Sequence, residues 1–106
     1  MAWLLLIVAG ALEVVWAYYM KQSGGFTKLA PSVVTVVTMI ASFVLLSFSM
    51  RTLPLGTAYA VWTGIGAVGA FLVGALILDE QIGALRVLAA VLIVSGLALM
   101  KLSSAD

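Results

Sequence analysis

Four stretches of this chain are apolar and unalternating, and short polar connections separate them. They cover residues 2–20, 31–50, 54–78 and 84–102. Each is close to the ~20 residues that carry a helix across a bilayer core. A membrane strand would alternate apolar and polar positions, and these runs do not. The pattern predicts four transmembrane helices in one domain, residues 1–106, with both chain ends on the same side.

The connections carry stop and start signals. Ser23-Gly24-Gly25 predicts a helix stop. Pro31 suits the first turn of the next helix, where its missing N–H matters least. Arg51-Thr52-Leu53-Pro54 is so short that helices two and three are expected to be antiparallel neighbours. Asp79-Glu80-Gln81 with Gly83 predicts the third loop. In the fourth span the uninterrupted apolar run is only 87–100. It crosses only if Arg86 and Lys101 snorkel to opposite interfaces. Residues 103–106 read as a frayed tail. No internal repeat or separate soluble domain is visible.

Composition agrees with the pattern. The chain is 65% hydrophobic and 8% charged, against about 25% charged residues in a soluble domain, so it cannot solvate a soluble surface. With neither cysteine nor histidine, it offers no disulfide framework, thiolate metal site or imidazole ligand. The net charge of +1 supplies no basic patch for nucleic acid. The first residues lack a basic leader and a small-residue cleavage site, so the first span reads as a retained helix.

Charge placement bears on orientation. Lys21, Lys28 and Arg86 fall on one side of the predicted bundle, and Arg51, Lys101 and the terminal amine on the other. The positive-inside rule acts through an imbalance, and here there is almost none. Insertion in both orientations follows, and two opposed copies would form an antiparallel dimer. That dimer would reproduce with two chains the inverted repeat that larger transporters carry within one. Other features fixing a single orientation is the alternative.

Glu13 stands near the middle of the first span, the one acidic residue away from a helix end or the C-terminus. A charge at that depth costs about 2.5–3.5 kcal/mol on insertion scales, and function is the usual reason to carry it. Gly10, Glu13, Trp16 and Ala17 share a helix face. Gly10 and Ala17 keep that face shallow. The Trp16 N–H wants an acceptor, which a carboxylate on its own helix or on a dimer partner can supply. Glu13 serving only as a hydrogen-bonding group between helices is the plainer reading. On the third helix Tyr59 and Trp62 can orient a carboxylate or stack on a flat cation. An interfacial aromatic belt is the ordinary explanation, and it fits Tyr59 better than the deeper Trp62. Gly64, Gly66 and Gly69 allow close packing or a kink that would let this helix switch shape. Ser42, near the midplane, either bonds its own backbone or supports Glu13; Thr35 and Thr38 are weaker candidates. On the fourth helix Ala89 and Gly96 suit a close helix seam, a candidate dimer contact. Trp3, Tyr18 and Tyr19 are assigned to the interface. Met39 and Phe43 are candidates to line a sideways opening for an apolar substrate tail. The chain lacks a second buried carboxylate and a phosphate loop, so an enzyme reading finds no support.

Residues 25–32 (GFTKLAPS) and 53–66 (LPLGTAYAVWTGIG), with four short helices and one glutamate in the first, resemble the small multidrug resistance family over essentially the whole chain. Within it, Glu13-Val14-Val15-Trp16-Ala17 is similar to the guanidinium-exporter subtype. The multidrug subtype typically has a small residue where Trp16 stands. The resemblance implies an all-α, antiparallel, dual-topology homodimer in a bacterial inner membrane. It implies exchange of protons for a small cation, guanidinium or a substituted guanidine, without a metal or organic cofactor. Glu13 would be the shared proton and substrate site, ringed by Trp16, Ser42, Tyr59 and Trp62. Lys101 matches a basic position near the end of helix four. The less typical stretches, 17–20 and 79–81, are peripheral. Two alternatives stand beside this reading. One is a multidrug exporter of quaternary ammonium or aromatic cations, which Trp16 disfavours. The other is a non-transporting membrane subunit that packs against a partner.

Overall fold

In a lipid core every backbone N–H and C=O must be satisfied within its own segment or by protein. A computed structural model, which describes residues 1–103, meets that demand with four α-helices. They are α1 (Ala2–Gln22), α2 (Leu29–Ser49), α3 (Leu55–Leu76) and α4 (Ala84–Ser103). All four are long and apolar enough to cross a membrane. Ser103, expected in a frayed tail, closes α4, and residues 104–106 lie outside the described residues.

The helix ends follow local chemistry. α1 continues past Met20 because Ser23 terminates it. Ser23 is fully buried, and its hydroxyl donates to the Met20 carbonyl at 2.6 Å and accepts the Phe26 N–H at 3.0 Å. The chain then reverses through Gly24, Gly25 and Phe26, all left-handed. Glycine removes the Cβ penalty at the first two. α2 starts at Leu29, which places Pro31 inside its first turn. Pro54 is the N-cap of α3. That helix stops at Leu76, short of the expected 78. Asp79 is left-handed, and the Glu80 N–H folds back 2.8 Å from the Gly74 carbonyl.

The arrangement refines one expectation. The short turn joins α2 to α3 as neighbours, but their backbones approach at few points and side chains make most of the contact. α1 packs against both of them, and α4 packs on α3 alone. Small residues explain the choice. In lipid, helices associate where backbones approach closely, since apolar surface alone gives no preference for a partner. Thr35, Ser42 and Ser49 recur every seventh residue of α2 and are fully buried. On α1, Ala9 and Gly10 are buried too. A Cβ on Gly10 would come within 2.6 Å of Ile65 Cγ2, so α3 approaches to a distance only glycine permits. The buried core is Leu6 and Ala9 of α1, Leu46 of α2, Leu53 of the turn, and Ala58, Val61 and Trp62 of α3.

Candidate functional site

The polar centre lies where α1, α2 and α3 meet. Thr35, Thr38 and Ser49 hydroxyls donate to carbonyls of their own helix, as Ser and Thr do in apolar surroundings. Ser42 does not. Its hydroxyl donates to the Ala9 carbonyl of α1 at 2.7 Å and accepts the Trp62 indole N–H of α3 at 3.0 Å. One buried hydroxyl thereby joins three helices. Neither sequence expectation for Ser42 describes this, since it bonds neither its own helix nor Glu13. Ala9 is one turn before Glu13, so the contact braces the stretch of α1 that presents the carboxylate.

Glu13 is half-buried, and its Oε1 is buried without a hydrogen-bond partner. The carboxyl lies against Gly66, where any Cβ would overlap it. Gly66 is therefore the floor under the carboxylate. Gly64, two residues earlier, faces another way and receives Leu97 of α4, whose Cδ2 would be 2.6 Å from a Cβ there. α3 runs as α-helix through both glycines. In this conformation they serve close packing, to α1 at one and to α4 at the other.

Aromatic rings of α1, α2 and α3 meet at the same junction. Phe43 stands between Trp16, edge-on at 6.4 Å, and Trp62 at 5.8 Å between ring centroids. Tyr59 continues the series 5.7 Å from Trp62 and is itself 55% exposed. Phe43, assigned from sequence to a sideways opening, thus contacts both site tryptophans. The Trp16 Nε1 is buried and unpartnered, so the carboxylate of its own helix does not supply its acceptor. An unpaired acceptor and an unpaired donor sit one turn apart on α1, and buried groups of this kind are seldom left without partners.

The remaining sequence candidates lie elsewhere. Ala89 and Gly96 are exposed on α4, and no atom approaches a Cβ position at Gly96. Lys101 is over the Trp3 ring, its Nζ 4.7 Å from the centroid. Trp3, expected at the interface, is half-buried and its Nε1 is enclosed by protein. Met39 is half-buried on α2.

The family model described as Small Multidrug Resistance protein matches residues 1–93. The chain is 55% identical over 104 residues to a protein of Citrobacter freundii named guanidinium exporter, covering 98% of this chain and 99% of that one. It is similarly 55% identical to a Salmonella typhimurium protein of the same name, with the same coverage. A guanidinium exporter of Yersinia pseudotuberculosis is 51% identical over 98% of this chain and its own full length.

Proposed function

Since the chain belongs to the Small Multidrug Resistance family, we propose that it exports guanidinium in exchange for protons, as an antiparallel homodimer in a bacterial inner membrane. The observation that carries this reading is the buried, unpartnered Glu13 oxygen on its glycine floor, one turn from the buried, unpartnered Trp16 N–H. A guanidinium is planar and always charged, and it presents paired N–H donors that match a carboxylate. Trp16 and Trp62 offer faces to its flat surface. The Trp16 N–H cannot serve a cation that only donates. It is left for an acceptor from outside the protomer, which in an opposed dimer is the carboxylate of the second copy.

Exchange follows from competition. Glu13 holds either a proton or guanidinium, and only loaded forms change the side to which they open. Protons moving inward down their gradient then drive guanidinium outward. Ser42 has a fixed part in this scheme, since it braces α1 through Ala9 and positions Trp62.

The test is electrical current in proteoliposomes on adding guanidinium. The native protein is expected to respond and Glu13→Gln to stay at background. Full retention by Glu13→Gln would sink the mechanism. Competition also sets a sign with pH. Acidification fills Glu13 with protons, so apparent guanidinium affinity falls as pH falls, by up to about tenfold per unit for one competing proton. Affinity that is flat from pH 6 to 9 argues against a shared site.

The run of rings Trp16–Phe43–Trp62–Tyr59 favours a second reading, export of quaternary ammonium or aromatic cations. Trp16→Gly separates the two. In a guanidinium exporter it loosens rejection of bulky cations. If it changes neither guanidinium affinity nor that rejection, Trp16 does not set the selectivity.

A further inference from the structure

Helix α4 is held at one end. None of its residues is fully buried, and α3 is its only helical neighbour among the described residues. Contact concentrates near its C-terminus, where Leu97 enters the groove at Gly64 and Leu97 and Met100 pack on the core. Toward its N-terminus an apolar groove of ≈ 510 Å³ separates parts of α3 and α4, lined among others by Phe71, Ala75, Ile82 and Val91. The anchored end carries a long-reaching link. Lys101, in the last turn of α4, turns back over the ring of Trp3 in the first turn of α1. Among the described residues no backbone approach joins α4 to α1, so the two helices meet here through side chains alone.

The bridge has the character of a contact that can be released. A cation over an indole face is attracted by the ring quadrupole, more strongly where water is excluded. The same arrangement leaves the Trp3 N–H buried without an acceptor, an unfavourable feature that any outward swing of the ring relieves. The attraction and the unpaired donor oppose each other. The unpaired donor lowers the cost of breaking the contact without cancelling the attraction. A helix packed on one neighbour along one half of its length is the element such a contact can steer.

We propose that Trp3 is a positioning residue: through Lys101 it latches the C-terminal end of α4 to α1, and the carrier breaks and remakes this latch as it changes the side to which it opens. The inference rests on the transport reading for its consequence but not for its structural half. Releasing the latch frees the last turns of α4 whatever the cargo. It acts on the rate of switching, because neither residue touches the Glu13 site.

Amide hydrogen exchange of the protein in lipid nanodiscs tests the structural half, and guanidinium flux in proteoliposomes with separately measured binding tests the other. Trp3→Leu and Lys101→Gln are each expected to speed exchange over residues 97–103. Each is also expected to change flux by about two- to fivefold, the range of one such contact, with affinity unchanged. The double variant matches the stronger single one, and Trp3→Phe, which keeps an aromatic face, stays near the native protein. Unchanged exchange in Trp3→Leu overturns the latch. So do effects of Trp3→Leu and Lys101→Gln that multiply, or a fall in affinity that accounts for the change in flux. If Trp3→Leu does not assemble, Lys101→Gln and Lys101→Arg decide: faster exchange over residues 97–103 in Lys101→Gln with native exchange in Lys101→Arg supports the latch, and native exchange in Lys101→Gln overturns it. Faster exchange in a protein whose native form moves no guanidinium would keep the latch and sink the transport reading. Flat exchange in an active transporter would sink the latch alone.

Discussion

Helices α1 and α4 have nearly the same length and both qualify as membrane spans, but their situations are opposite. α1 lies between α2 and α3, with Leu6, Ala9 and Gly10 fully enclosed. α4 leans on α3 alone and encloses nothing. The chemistry is divided in the same way. The carboxylate, its tryptophan and the carbonyl that Ser42 braces are all on α1. α4 supplies Leu97, Met100 and Lys101 at one end and an open small-residue face along the rest. A buried polar site needs rigid walls to hold its geometry, and α1 has them. Ala89 and Gly96 on α4 are exposed in the protomer, and the proposal of a homodimer makes their face the candidate seam.

Substitutions at three glycines separate these roles. The largest effect is expected at Gly66, where a Cβ overlaps the Glu13 carboxyl. The obstructing group is the mobile end of a side chain, so the fold accommodates Gly66→Ala by moving the carboxylate. The loss then appears as guanidinium affinity, at least about tenfold, which corresponds to about 1.4 kcal/mol, with thermal stability nearly unchanged. A variant that melts early but binds normally would reverse this assignment.

Gly10→Ala sharpens the contrast from the other side. Its Cβ meets Ile65 Cγ2 at 2.6 Å and Ile65 Cβ at 2.8 Å. A β-branched side chain has little freedom to withdraw, so the helices must separate. Overpacking of this kind costs about 1–3 kcal/mol, read as a lowered unfolding midpoint in detergent micelles.

The smallest effect within the protomer is expected at Gly96, which faces open space. Gly96→Ala should change protomer stability by no more than about 0.5 kcal/mol, as ordinary surface substitutions do. Gly96→Leu then reports on the partner: weaker dimerisation, measured by dilution in micelles or bilayers, places the seam on this face. An unchanged dimer moves the seam elsewhere.

Much of this was legible in the chain itself. Glu13, isolated in a long apolar run, stands out as the candidate without any tertiary information. The glycines at 10, 64 and 66 announce close approach but not to what. The heptad of Thr35, Ser42 and Ser49 was also present to be read, and it identifies the face of α2 that meets α1. The short turn at residues 51–54 points to α2 and α3 as neighbours, but not to the closer backbone packing that each makes with α1. Trp3 and Lys101 are nearly a hundred positions apart, and nothing in the composition near either residue points to the other.

Four helices apolar enough to span a membrane, a lone mid-span carboxylate at Glu13 and the near absence of charge bias can be read directly from the chain. They are legible there because in lipid each helix satisfies its own backbone, which makes the elements a local property of the chain. Which helix is central, which partners Ser42 takes, that the Trp16 N–H is unmet within the protomer, and how α4 is held emerge from packing. Those outcomes depend on the fit of small residues contributed by several helices at once. With no hydrophobic preference between helices in lipid, that fit selects the neighbours.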